Sequence, residues 1–404
     1  MTTFVKEKYL LLLFFLLLIV AANAQNFVVN STIDAVDSNP GNGICDDGLG
    51  NCPIRAAILE SNALGGAHTI TLPAGIHTLT IGGVGENASA TGDLDVTSNI
   101  TINGVSPSVT IIDVNNIDRV FHILPVGVLT MSNTTIKNGN TLKDHGGGFL
   151  NEGILSINYC HITENTSTLP VGATYSGGFG GGIANFGNLT IENSTLFLNE
   201  AIGGRGTNGQ NGGGGGGSTP GFGGAIYNNL NGLITLKNTT ISENIARGGR
   251  FSAGSTNGGN FNFAGKRGAG SLGGVPGFSG GGAGGNGGDF SGGGGGGSSG
   301  SFGGFGGMGG YGAGGGGRGA RSGSGTSPGS GGLNGFGGGQ GCNPCCSSGG
   351  GGGGGAGFGG GIFNNGGTIT SINSSIAFNS AYGGQGQRLN SIGGYAAGGT
   401  PGQG

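Results

Sequence analysis

Tryptophan is absent from this 404-residue chain, methionine occurs three times, and charged residues make up only 8%. So little charge, with no basic stripe, excludes a nucleic-acid-binding surface. Nor is there an acidic tail to solvate or recruit a partner. Long apolar runs are lacking except for one near the N-terminus, Tyr9 to Val20, which is shorter than the roughly 20 residues of a membrane span. Lys6 and Lys8 lie near its start, and Ala22-Asn23-Ala24 offers a small-x-small cleavage site before Gln25. That order is the order of a secretory signal peptide. The expectation is therefore a signal over residues 1–24, no transmembrane span after its removal, and a secreted chain, extracellular or on a bacterial cell surface or outer membrane.

What is present in excess is glycine, 108 residues of it, gathered in certain stretches and without the collagen triplet. Between those stretches one short pattern recurs. Its copies begin at Gly146-Gly147-Gly148, Gly180-Gly181-Gly182, Gly223-Gly224-Ala225 and Gly359-Gly360-Gly361. Each continues with an apolar residue, an Asn, a stretch rich in Thr, Ser and Ile, and a closing Asn. The three later copies carry Asn193, Asn238 and Asn373, followed at one fixed spacing by Asn199, Asn244 and Asn379. The first copy has Tyr159 at the earlier position and Asn165 at the later one.

Runs such as Leu189-Thr190-Ile191 and Ile234-Thr235-Leu236 alternate apolar and polar residues, so one face of each short strand points inward. Asn suits sharp corners because it tolerates left-handed backbone. In stacked copies Asn lies above Asn, where amides bond along the stack. A unit of about 22 residues fits one coil of a β-solenoid, whereas helix-pair repeats need ~34 residues and helix formers. The fold class expected is all-β: a right-handed parallel β-helix with a small N-terminal capping module and glycine-rich inserts.

Along the chain, residues 25–115 read as the cap and first coils, with one helix at Pro53–Leu64. There Ile54, Ala57 and Ile58 share a face, and Arg55 and Glu60 fall on a polar one. Coils follow over 116–201, 223–246 and 358–382, with glycine-rich inserts at 202–222 and 247–357 and a further glycine-rich segment begun at 383–404. The inserts all leave after the same Asn-led exit, so they are expected on one side. Their composition fits flexible loops or packed polyproline II segments, with Phe251, Phe261, Phe263, Phe278, Phe290, Phe302, Phe305 and Phe336 as contact points in the second case.

Six cysteines in an exported chain point to disulfides. Cys45 and Cys52 close a short loop and form the first expected pair. Cys342, Cys345 and Cys346 crowd together with a disulfide or a zinc ligand pair as readings, and Cys160 stands alone. Asp34, Asp37, Asn39, Asp46 and Asp47 could offer oxygens to calcium, although the same residue types build ordinary Asx turns. Nine Asn-x-Ser/Thr sequons, Asn30 and Asn99 among them, follow from the Asn- and Thr-rich composition.

Asn30-Ser31-Thr32, Asp34, Asp37, Pro40-Gly41, Gly43, Cys45, Cys52, Arg55, Ala57-Ile58 and Glu60 together resemble the CSLREA module. Leu72-Pro73-Ala74-Gly75, Gly92-Asp93-Leu94-Asp95 and Asp118-Arg119-Val120-Phe121 extend the likeness. The name motif reads Cys52-Pro53-Ile54-Arg55-Ala56-Ala57 here, without the family's Ser and Glu. The later copies resemble the parallel β-helix repeats that follow this module in bacterial surface proteins, and the repeats of polymorphic outer-membrane proteins. The resemblance implies an exported, displayed protein with adhesion or scaffolding as its role. The work expected is non-catalytic, with glycans or host or surface proteins as partners and no cofactor beyond the calcium reading above. The fold also hosts polysaccharide lyases and glycoside hydrolases of the pectin-lyase-like type. For those, Asp93, Asp95, Asp113, Asp118 and Arg119 are the candidate residues, while His122, His145 and His161 read as isolated. No catalytic set is assigned.

Overall fold

The computed structural model describes residues 24–141, 144–169, 178–208, 215–250, 283–287, 291–295, 304–309, 311–316, 318, 330–333, 336, 338 and 352–384. Residues 1–23 of the segment expected to be a signal and Cys342, Cys345 and Cys346 lie outside them, as do Phe251, Phe261, Phe263, Phe278, Phe290 and Phe302.

The period-two pattern folds as expected into short strands that pair only in parallel, coil upon coil. One coil shows the path. It runs through Ile183–Asn185, Asn188–Glu192, Thr195–Phe197 and Glu200–Ile202, leaves for an insert, and returns through Gly221–Phe222 to Ile226–Asn228. Each position along that path becomes one strip of a parallel β-helix. The strips are sheets of eight, seven, five, three and six strands. Register is strict: Leu155, Leu189, Ile234 and Ile369 align, as do Ile157, Ile191 and Leu236. These side chains, with Ile100, Ile102, Leu129, Met131, Phe121 and Phe149, fill one continuous apolar interior. At about 1.5–3 kcal/mol per fully buried aliphatic or aromatic side chain, this stack is the main stabilising term.

Two corners of each coil take left-handed backbone. The first holds Asn133, Tyr159, Asn193, Asn238 and Asn373, with φ between 48° and 57°. Here Asn238 Nδ2 donates to Asn193 Oδ1 at 3.1 Å, and Asn193 Nδ2 to Asn158 Oδ1 at 2.9 Å. At the second corner the structure departs from the expectation. The left-handed residues are Asn138, Glu164, Leu198, Glu243 and Phe378, each one place before the closing Asn position. Asn165, Asn199, Asn244 and Asn379 are not themselves the bent residues. They lock the bend from below: Asn199 Oδ1 accepts from both the backbone N and the Nδ2 of Asn165, at 3.1 and 3.0 Å. Asn244 does the same for Asn199, and Asn379 for Asn244. The ladder ends at Gly139, whose N donates to Asn165 Oδ1.

The helix spans Ile54–Leu64 with Pro53 at its N-cap. Its apolar face, Ile54, Ala57 and Ile58, is buried against the first coil, as expected. The polar face is buried as well, with its charges satisfied. Arg55 is 0% exposed and pairs with Asp34 at 2.6 Å while donating to the carbonyls of Ser89 and Gly92. Glu60 accepts from the backbone N–H groups of Gly41 and Gly43. Cys45 and Cys52 are bonded, with Cα atoms 5.2 Å apart. Cys160 is a free, buried thiol. No helix among the described residues is long and apolar enough to cross a membrane.

Candidate functional site

Two features stand apart from the regular coils. The first is the region of the inserts. They leave after Glu200–Ile202, Ile245–Arg247 and Ser380–Tyr382, three neighbours in one sheet, so they share one side of the solenoid. Their described residues pack as a bundle of extended glycine segments. Gly284 and Gly287 donate to Phe305 and Met308, and Gly306 and Gly309 donate to Ser330 and Leu333. Donors three residues apart reach the same neighbour, which is the period of polyproline II. Neighbours surround a segment on several sides. Residues 312–316 exchange backbone hydrogen bonds with Ser218, Gly293, Gly307, Gly332, Gly353 and Ala356. A β-strand has two neighbours; a threefold segment can have more. At these glycines a side chain is excluded, since a Cβ on Gly314 would stand 2.1 Å from Gly353 O and one on Gly293 1.9 Å from Gly307 O.

The large apolar side chains at 305, 308, 311, 333 and 336 point outward, whereas Ser291, Ala313 and Arg318 are buried. Phe305, Met308 and Tyr311 are 56%, 45% and 44% exposed, and on the adjoining segment Leu333 and Phe336 are 54% and 70% exposed. Tyr311 stacks on Phe336 at 5.5 Å and on Phe358 at 5.5 Å, which ties this face to the solenoid. The tie continues through Phe179, Phe222, Tyr227 and Phe363, a second apolar cluster separate from the main interior. Sequence reasoning named Phe305 and Phe336 but missed Phe179, Phe222 and Phe358. The signal was there: a Gly-Phe pair precedes each of the last three glycine-led repeats. At the foot of the bundle, Arg247 lies over the Tyr382 ring, 5.1 Å from its centre, beside a shallow cleft that Arg250 also lines.

The second feature is a knot of charge on the six-stranded strip. Strand Leu94–Val96 carries Asp95, strand Phe121–Ile123 carries His122, and these align in register. Asp93 and Arg119 lie just before the two strands, and Arg119 Nε donates to Asp93 Oδ2 at 2.6 Å. Asp144 and His145 precede the next strand of the strip, Phe149–Asn151, and Glu152 follows it. Arg119 also reaches Asp144 at 3.0 Å and the carbonyl of His145 at 2.8 Å. His122 stands between Asp95, 3.4 Å from its Nδ1, and Glu152, 3.0 Å from its Nε2. Neither His122 nor His145 is isolated, a correction that periodicity could not supply because strand register decides it. Asp113 is not part of this knot. It lies on another strip, bonded to Asn138 and near Lys137.

Burial sets the electrostatics. It pushes Asp118 up to about 6, with Asp93 adding to the effect, and it also raises Asp95. It drives His145 down to about 4. For His122 burial opposes the proton, but the flanking Asp95 and Glu152 outweigh it and the pKa is raised. Asp93, Asp95, Asp118, Arg119 and His122 are each less than a tenth exposed, so a polymer on the surface would not touch them.

The acids named for calcium hold their own loop instead. Asp37 accepts from Asn39 and Asp46, Asp46 from Gly48 and Gly50, Asp47 from Leu49 and Asn51, and Asp34 pairs with Arg55. The residues that carry the CSLREA resemblance are thus largely one another's partners. Among the closing and corner residues, Asn165, Asn199, Asn244 and Asn379 form one ladder, and Asn193 and Asn238 belong to another that Asn373 continues only in backbone shape. A further ladder was not assigned from sequence: Asn151 to Asn185 to Asn228 to Asn364, at 2.7 to 2.8 Å. Comparison of the chain with protein-family models, curated proteins and solved structures finds no match.

Proposed function

We propose that this is an exported, adhesin-like display protein, non-catalytic, that binds an extended glycan through the apolar face of its glycine bundle. The observation that carries the reading is the pair of exposed rows, Phe305-Met308-Tyr311 and Leu333-Phe336, on a hydrogen-bonded platform. Exposed apolar patches of this kind mark interaction sites. With ~3.1 Å rise per residue, a side chain every third position recurs at about 9 Å. The rings of Phe305 and Tyr311 then stand about 19 Å apart with Met308 between them, and an apolar row of this kind, alternating with bare backbone, suits a flat polymer that offers C–H faces and hydroxyl groups. Tyr382 with Arg247 and Arg250 would add affinity for an acidic sugar.

The likeness to the CSLREA module and the signal-like N-terminus favour display outside the cell, as does a disulfide, a bond rare in reducing compartments. The lyase or hydrolase reading is less well supported, because Asp93, Asp95, Asp118 and Arg119 are buried, Arg119 is paired with Asp93, and Asp113 is apart from them.

The test is incubation of the purified chain with immobilised plant, algal and host polysaccharides, scoring retention and chain cleavage together. Retention without cleavage, lost in a Tyr311→Ser, Phe336→Ser double variant, is the expected result. Cleavage of any polymer, or retention unchanged by the double variant, overturns the reading.

A further inference from the structure

We propose that Asp93, Asp95 and His122 form a site for one divalent transition-metal cation, with zinc as the probe ion. The three offer ligand atoms that all lie within 4.8 Å of one another. The group that asks for an occupant is Asp95. It is 0% exposed, and its Oδ1 has no hydrogen-bond partner. That oxygen faces His122 Nδ1 at 3.4 Å, near enough to feel its charge but without hydrogen-bond geometry.

The other nitrogen of His122 is engaged. Nε2 lies 3.0 Å from Glu152 Oε2, an acceptor, so Nε2 carries the proton. In the neutral ring Nδ1 then presents a lone pair to a carboxylate oxygen, and two electron pairs face each other in a buried place. A cation between them removes the conflict. In tetrahedral zinc sites with bonds of about 2.0–2.2 Å, neighbouring ligand atoms stand roughly 3.3–3.5 Å apart. The observed separation falls in that range.

The surroundings match a metal site in two further ways. Metal-bound histidines usually donate their second N–H to a carboxylate, which fixes tautomer and ring plane; here Glu152 Oε2 is the acceptor for His122 Nε2. Asp95 is oriented too, because its Oδ2 accepts from Ser89 N at 2.8 Å. Charge also favours a cation. The knot gathers Asp93, Asp95, Asp118, Asp144 and Glu152 around a single guanidinium, Arg119. An imidazole with carboxylates suits zinc and its neighbours better than calcium or magnesium, which prefer all-oxygen sets. The bound ion would tie the strands Leu94–Val96 and Phe121–Ile123, with Glu152 joining from the next coil, as a staple across successive turns of the solenoid. The competing occupant of the same gap is a proton on His122 Nδ1, held between Asp95 and Glu152.

The experiment is calorimetric titration of the full exported chain, stripped with chelator, with zinc chloride at neutral pH, followed by X-ray absorption of the loaded protein. One equivalent bound with micromolar or tighter affinity, in a nitrogen and oxygen shell, is expected. Asp95→Asn and His122→Gln should each weaken binding at least tenfold, and Glu152→Gln roughly tenfold through the second-sphere hydrogen bond. No zinc uptake by the unaltered protein overturns the proposal and leaves the proton in that place. So does a sulfur shell, or affinity unchanged in the folded variants. The absorption measurement needs no variant and decides the matter if the substitutions fail to fold.

Discussion

The solenoid and the glycine bundle meet the same demand in opposite ways. Every backbone N–H and C=O withdrawn from water needs a partner. In the solenoid each strand finds it in the coil above and the coil below, and side chains such as Leu189 and Ile191 fill the interior left between the strips. In the bundle the interior is backbone itself. Residues 312–316 are surrounded by five other segments at hydrogen-bond distance; the side chains buried beside them, Ala313, Ser218 and Thr219, are small, and a Cβ on Gly314 would meet main chain. The solenoid therefore fails when a core side chain is removed, and the bundle when one is added.

That asymmetry can be broken deliberately. The largest effect is expected from Gly314→Val. Its Cβ would meet Gly353 O, part of the main chain, which has no rotamer through which to yield. The cost should exceed the roughly 3 kcal/mol that tops ordinary overpacking. Limited proteolysis should then open the inserts at low protease while the circular dichroism of the coils persists. Loss of both together would show that the two regions are one cooperative unit.

Next comes the ladder. Asn199→Leu keeps the branched shape, with somewhat more bulk, but orphans the N–H of Asn165 and the carbonyl of Ile162. A loss of about 3 kcal/mol in urea unfolding is expected, since buried groups without partners cost about 1–3 kcal/mol each. An unchanged midpoint would mean that water replaces the amide.

The smallest of the three effects concerns pH. Asp118 titrates at about 6 in the fold, against 3.8 for an exposed carboxyl. Near pH 5 the folded protein therefore keeps a proton that the unfolded chain has released. This contribution to stability is complete below pH 4 and is lost as pH rises through 6. Asp118→Asn can still accept from Arg119 N but cannot ionise. Relative to the unaltered protein it should gain about 2 kcal/mol between pH 4 and pH 7.5, read from urea midpoints at the two values. Equal slopes would place the carboxyl in water.

Much of the solenoid was legible because its rule is local. Alternation in Leu189-Thr190-Ile191 decides which side chains face inward, and repetition of Asn199 and Asn244 decides what stacks on what. The bend at Leu198 was not legible, since nothing about leucine favours left-handed backbone; it is imposed by the amide hydrogen bonds of the next residue. The charge knot was half visible. Asp93, Asp95 and Arg119 stood out as rare charges in a neutral chain. His122 and Glu152 could not be joined to them without the strand register, which sets residue 95 beside 122 and brings 152 within reach. The bundle was hardest, because glycine carries no pattern of its own. Only the phenylalanines set among the glycines, Phe305 and Phe336 among them, hinted at it.

The shared exit of the inserts has one more consequence. Thr190 pairs with Thr235 across the shorter insert, and Thr235 with Thr370 across the longer one, in the same register. The scaffold is therefore blind to the length of what it carries. A lineage could lengthen, exchange or rewrite the inserts while the coils beneath stayed constant, and an engineer could graft foreign segments between Ile202 and Gly221 on the same terms.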